Sequence, residues 1–138
     1  MAILPFAWGL GLALAIGLLA RLSGLDRDRA FYPVTLLVIA SLYMLFAAIA
    51  GGGALFLAET PGLLLFGAAA VIGFRTSLWL VAAGLFAHGL FDAVHGELIA
   101  NPGVPAWWPA FCAAYDIAAA AFLAFVIRHT GPSHRRTI

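Results

Sequence analysis

The chain has 138 residues, 64% of them hydrophobic and 9% charged, with a mean hydropathy of +1.06 and a formal net charge of +1. A water-facing domain carries about 25% charged residues, so this composition excludes an ordinary soluble surface and makes the lipid bilayer the expected partner. The small net charge excludes a nucleic-acid interface, which needs a basic patch, and the lone Cys112 excludes an intramolecular disulfide and a cysteine-only metal site.

Residues 2–20 carry no charge, and the first arginine, Arg21, follows the apolar run. A cleaved signal peptide has its positive charge before that run, so residues 2–21 read as a retained span inserted N-terminus outward. A span needs about 20 mostly apolar residues. After the charged turn up to Arg29, a second span is expected over 31–50, ending at Gly51-Gly52-Gly53. The third covers 54–74. Its Glu59-Thr60-Pro61 reads as a helix-start signal or an outer vestibule, with the membrane part beginning near Pro61 and the helix short or kinked. The fourth span covers 76–98 and the fifth 106–128, joined by the turn-forming NPGVP. Residues 129–138 form a short basic tail, with His129, His134, Arg135 and Arg136 suited to anionic headgroups. The expected fold is an all-α, single-domain bundle of five transmembrane helices.

Cytoplasmic loops are enriched in Lys and Arg. Here all seven basic side chains other than histidine are arginines, with no lysine. They follow the first span (Arg21, Arg27, Arg29), the third (Arg75) and the fifth (Arg128, Arg135, Arg136). Five crossings put these segments on one side, so the N-terminus is expected outside and the C-terminus in the cytoplasm. Trp8, Trp107 and Trp108 then fall near the outer interface, and Tyr32 and Trp79 near the inner one. The Ala, Gly and Leu bias with no lysine points to a GC-rich bacterium and hence to its inner membrane. Small residues in the first helix, Gly84, Gly89 and Gly96 in the fourth, and Ala118 to Ala121 in the fifth are expected to make helix contacts.

Ionisable groups within spans cost about 2.5–3.5 kcal/mol each at the centre and tend to mark function. His88, Asp92 and His95 recur at i, i+4 and i+7 on one stripe of the fourth helix, continued by Gly84 and Val81. Glu97 falls on the opposite face and reads as an interfacial charge. His88 is twelve residues from Thr76, and Asp116 twelve from Arg128. Both therefore lie about 18 Å from the arginine-bearing end. Cys112 is one turn outward from Asp116, level with Asp92. Tyr43 falls near the same depth and, with Ser41, reads as a packing group; Tyr115 likewise reads as packing or lipid contact.

Three readings of the cluster follow. His88, Asp92, His95, Asp116 and Cys112 offer ligands to a transition metal (Zn, Fe or Cu), completed across two helices. The same His and Asp groups suit a proton relay or a small polar or amphiphilic ligand. Alternatively they only hydrogen-bond across helices, for about 0.6 kcal/mol each. At the level of the whole protein, the alternatives to a binding protein are a membrane-embedded enzyme using His and Asp as acid and base, or an accessory subunit of a larger membrane complex. A homo-oligomer is open.

The run HGLFDAVHGELIANPGVPAWWPAFCAAYD, residues 88–116, resembles the signature region of a family of small uncharacterised bacterial multi-pass membrane proteins. The resemblance implies no activity. It singles out the hairpin of the fourth and fifth helices as the unit of interest.

Overall fold

The computed structural model describes residues 3–130, and those residues form five α-helices and no strand. They are α1 (Ile3–Ser23), α2 (Phe31–Ile49), α3 (Gly53–Arg75), α4 (Leu78–Leu98) and α5 (Trp108–His129). Each has 19 to 23 residues and is long and apolar enough to cross a membrane. At a helical rise of about 1.5 Å per residue, each matches a hydrocarbon core of about 30 Å. Their bounds fall within two residues of those expected from the sequence. The expected tail, with His134, Arg135 and Arg136, lies outside the described residues.

Local chemistry sets the ends. Gly24 and Gly51 take positive φ, 82° and 77°, where a side chain is strained, and they turn the chain after α1 and after α2. Ser77 caps α4, its hydroxyl accepting the Trp79 N–H at 3.2 Å. α3 departs from expectation. It runs unbroken as helix from Gly53 through Pro61 to Arg75, with Glu59 buried in its second turn. Proline is tolerated in a membrane helix when its surroundings compensate for the missing N–H.

α5 packs on α1 and α4, α2 on α3, and α3 on α4, with a lesser contact between α2 and α4. Small residues allow the closest of these contacts. The buried stripe of α1 is Gly9, Ala13, Gly17 and Ala20. A Cβ at Gly9 would collide with the Phe111 carbonyl oxygen of α5. Gly84 and Gly89 serve in the same way on α4, but Gly96 is exposed with open space around it, and Ala121 is exposed on α5. The last two carry none of the contact expected of them.

The arginines within the described residues gather at one end of the bundle. Arg29 donates to the carbonyls of Phe74 (3.0 Å) and Gly73 (3.2 Å) at the end of α3. Arg21 pairs with Asp26 at 3.4 Å, and Arg128 lies over the Trp79 ring at 5.8 Å. At the opposite end, Asn101 in the α4–α5 turn donates to the Tyr43 carbonyl at 3.3 Å. Trp8, Trp107 and Trp79 are exposed, as interfacial tryptophans should be. Tyr32 is not: it is 5% exposed. It begins the inward stripe of α2 that continues through Leu36, Ile39, Ala40, Tyr43 and Ala47.

Candidate functional site

The polar stripe of α4 faces inward along its length, with Val81, Gly84, His88, Asp92 and His95 all buried. Glu97 is exposed on the far side. Asp116 and Cys112 of α5 are buried as well. Gly89 lets the two helices meet at this level. A Cβ there would lie 2.8 Å from Ile117 Cγ1 and 3.1 Å from the Ala113 carbonyl oxygen.

His88 Nδ1 is 2.6 Å from Asp116 Oδ2 and 3.4 Å from Asp92 Oδ2. One imidazole thus stands between two carboxylates from different helices. Asp92 Oδ1 accepts a 2.7 Å hydrogen bond from the Tyr43 hydroxyl of α2. Asp116 Oδ1 is buried without a hydrogen-bond partner, and Asp92 Oδ2 has only the 3.4 Å approach of His88 Nδ1. Cys112 completes the group, since donor atoms of His88, Asp92, Cys112 and Asp116 all lie within 4.8 Å of one another. Phe66 closes over His88 edge-on, with ring centroids 4.7 Å apart, and Phe91 lies beside it.

His95 belongs to a second group. Its Nε2 is 3.0 Å from both carboxylate oxygens of Glu59 on α3. Asn101 donates to the same carboxylate at 2.9 Å. The Tyr43 ring stacks on His95 with centroids 3.7 Å apart, so Tyr43 touches both groups, by its face at one and its hydroxyl at the other. Five of the buried ionisable groups, with Glu59 as the fifth, therefore form two clusters on three helices, tied together by an α2 tyrosine.

The two groups differ in charge. Glu59 and His95 are one carboxylate and one imidazole, and a single proton makes the pair neutral. Asp92 and Asp116 share only His88, so a protonated imidazole still leaves one negative charge uncompensated. Charge at that depth is costly unless balanced. Neutrality at the His88 cluster therefore needs two positive charges, whether protons or another cation, where the Glu59 pair needs one.

The sequence puts Asp116 level with His88 and Cys112 level with Asp92 one turn outward, and donor atoms of all four lie within 4.8 Å of one another in the structure. It missed Glu59, Asn101 and the role of Tyr43. The signal for Glu59 is an acidic residue inside an otherwise apolar run; an outer-vestibule or helix-start reading leaves out that its side chain is buried against His95. Tyr43 had the right depth but no visible partner, because its partner lies on another helix. Tyr115 is buried in the apolar core, as a packing residue would be.

The chain matches no family model, no curated protein and no solved structure.

Proposed function

We propose that this chain is a multi-pass protein of a bacterial inner membrane, with its N-terminus outside and its C-terminus in the cytoplasm, and that its function is to bind a cation between α4 and α5. The observation that carries this reading is the charge-deficient cluster. Two carboxylates share one imidazole at 2.6 and 3.4 Å, and a further oxygen of the pair, Asp116 Oδ1, is buried without a hydrogen-bond partner. Packing alone gains little from such an arrangement, because cross-helix hydrogen bonds in membranes contribute about 0.6 kcal/mol on average. A second buried carboxylate with an unused oxygen adds desolvation cost to that small gain. Polar groups that are expensive in lipid and aimed at one another mark a binding site.

The test is linkage between binding and stability. Anything that binds only the folded state stabilises it, by about 2.7 kcal/mol at a hundredfold excess over Kd. Thermal unfolding of the purified chain in detergent is followed while metal ions are added singly and while the solution is acidified. At least one of these cations raises the Tm of the wild type and leaves Asp116→Asn unmoved. If every cation, protons included, shifts wild type and Asp116→Asn alike, the cluster serves packing only and the proposal fails.

A further inference from the structure

We infer that the cation is a divalent transition metal held by His88, Asp92, Cys112 and Asp116; this rests on the cation-binding reading and specifies its ligand. The donor set comes first. Imidazole nitrogen and cysteine sulfur suit zinc and its neighbours in the first transition row, whereas Mg²⁺ and Ca²⁺ select oxygen-only shells. Here one nitrogen, one sulfur and two carboxylates from two helices lie within 4.8 Å of each other.

One donor pair already has the spacing of a tetrahedral shell. Metal–ligand bonds of about 2.0–2.3 Å place neighbouring donors roughly 3.3–3.8 Å apart. His88 Nδ1 and Asp92 Oδ2 already stand at 3.4 Å. His88 Nδ1 and Asp116 Oδ2, at 2.6 Å, are held by a shared proton. That separation must open by roughly 1 Å for both to ligate. Metal entry therefore expels that proton, and sulfur coordination expels the thiol proton of Cys112. The two positive charges of the ion replace the two protons lost, so the filled site keeps its one net negative charge. The donor set, not the missing charge, selects the metal.

The surroundings are those of a supported site. Tyr43 holds Asp92 Oδ1 at 2.7 Å, which fixes the carboxylate and leaves Oδ2 turned toward His88. Such outer partners orient ligands, and losing one lowers metal affinity about 10–100-fold. Asp116 Oδ1 is buried and unpartnered beside the cluster. By contrast, both oxygens of Glu59 are already engaged by His95, and one also by Asn101. His95 is accordingly left out of the ligand set.

Cobalt(II) reports both shell and sulfur. Titrated into the purified, metal-stripped chain in detergent, Co²⁺ should bind as a single ion per chain. Visible absorption of tetrahedral intensity and a near-ultraviolet sulfur-to-cobalt band should appear, and Zn²⁺ should abolish both. In Cys112→Ser the sulfur band should vanish while the visible bands remain; in Asp116→Asn affinity should fall at least about tenfold. Helical circular dichroism and a monodisperse size-exclusion peak establish that each variant is folded. Binding with no sulfur band, or binding unaffected by both variants, overturns the inference. If neither Co²⁺ nor Zn²⁺ binds while acidification or another cation still stabilises the wild type over Asp116→Asn, the metal assignment fails and the cation reading survives. If no cation separates them, both fall.

Discussion

At the scale of single residues, Tyr43 separates a binding role from a packing role. Its ring stacks on His95, and its hydroxyl bonds Asp92. Tyr43→Phe keeps the ring and removes the hydroxyl. Stability should fall by about 1–3 kcal/mol, the cost of leaving the buried Asp92 Oδ1 unmet. Cobalt affinity should fall about tenfold or more, because Asp92 is no longer held. Equal changes in stability and no change in affinity would assign the hydroxyl to packing. Glu59 should behave in the opposite way. Glu59→Ala strands the buried His95, at about 1–3 kcal/mol for a buried group left unmet, and takes one of two acceptors from the half-buried Asn101 amide. Denaturation in detergent should show that loss, with metal affinity at the His88 cluster little changed.

Between helices, spacing is controlled by glycines whose missing Cβ admits a neighbour. Gly9 against Phe111 sets α1 on α5, and Gly89 against Ala113 and Ile117 sets α4 on α5. Gly9→Ala should therefore destabilise the bundle by about 1–3 kcal/mol through overpacking. Gly11→Ala, on the open face with nothing within 4 Å, should be neutral or slightly stabilising, since alanine is the better helix former. Comparative Tm measurements in one detergent check the pair. Gly89→Ala acts on the site itself. Its Cβ would stand 3.3 Å from Asp116 Cβ, so the helices must part where His88 and Asp116 meet. Cation-dependent stabilisation should weaken in Gly89→Ala and persist in Gly96→Ala, whose Cβ meets nothing.

For the molecule as a whole, the arginine-bearing end of the described residues is the feature on which an orientation in a bilayer can be tested. Arg29 closes the end of α3, and Arg128 lies over Trp79 near the start of α4. The positive-inside rule then predicts that a C-terminal alkaline phosphatase fusion is inactive and a C-terminal fluorescent-protein fusion bright. The reverse pattern would invert the topology, moving the Glu59–Asn101 end to the cytoplasm. Large apolar side chains such as Ile3, Leu22 and Leu57 are more than 70% exposed, a surface that suits lipid and not water. The α4–α5 turn also borders a groove lined by His95, Asn101 and Pro105. The Glu59 cluster thus lies between the His88 cluster and that end.

The five helices and their ends were legible because they depend on local quantities: run length, charge and turn-forming residues. The α4 stripe was legible for the same reason, since helical periodicity alone puts His88, Asp92 and His95 on one face. Counting residues from the arginine end then brought Asp116 and Cys112 level with them. Which groups pair was decided only by tertiary structure. His95 turned to Glu59 because α3 runs as helix through Pro61, and Tyr43 reached Asp92 because α2 lies across α4. Those partners are separated by 36 and 49 residues. Periodicity within one helix says which side chains point inward, but the helix they meet is set by packing among all five.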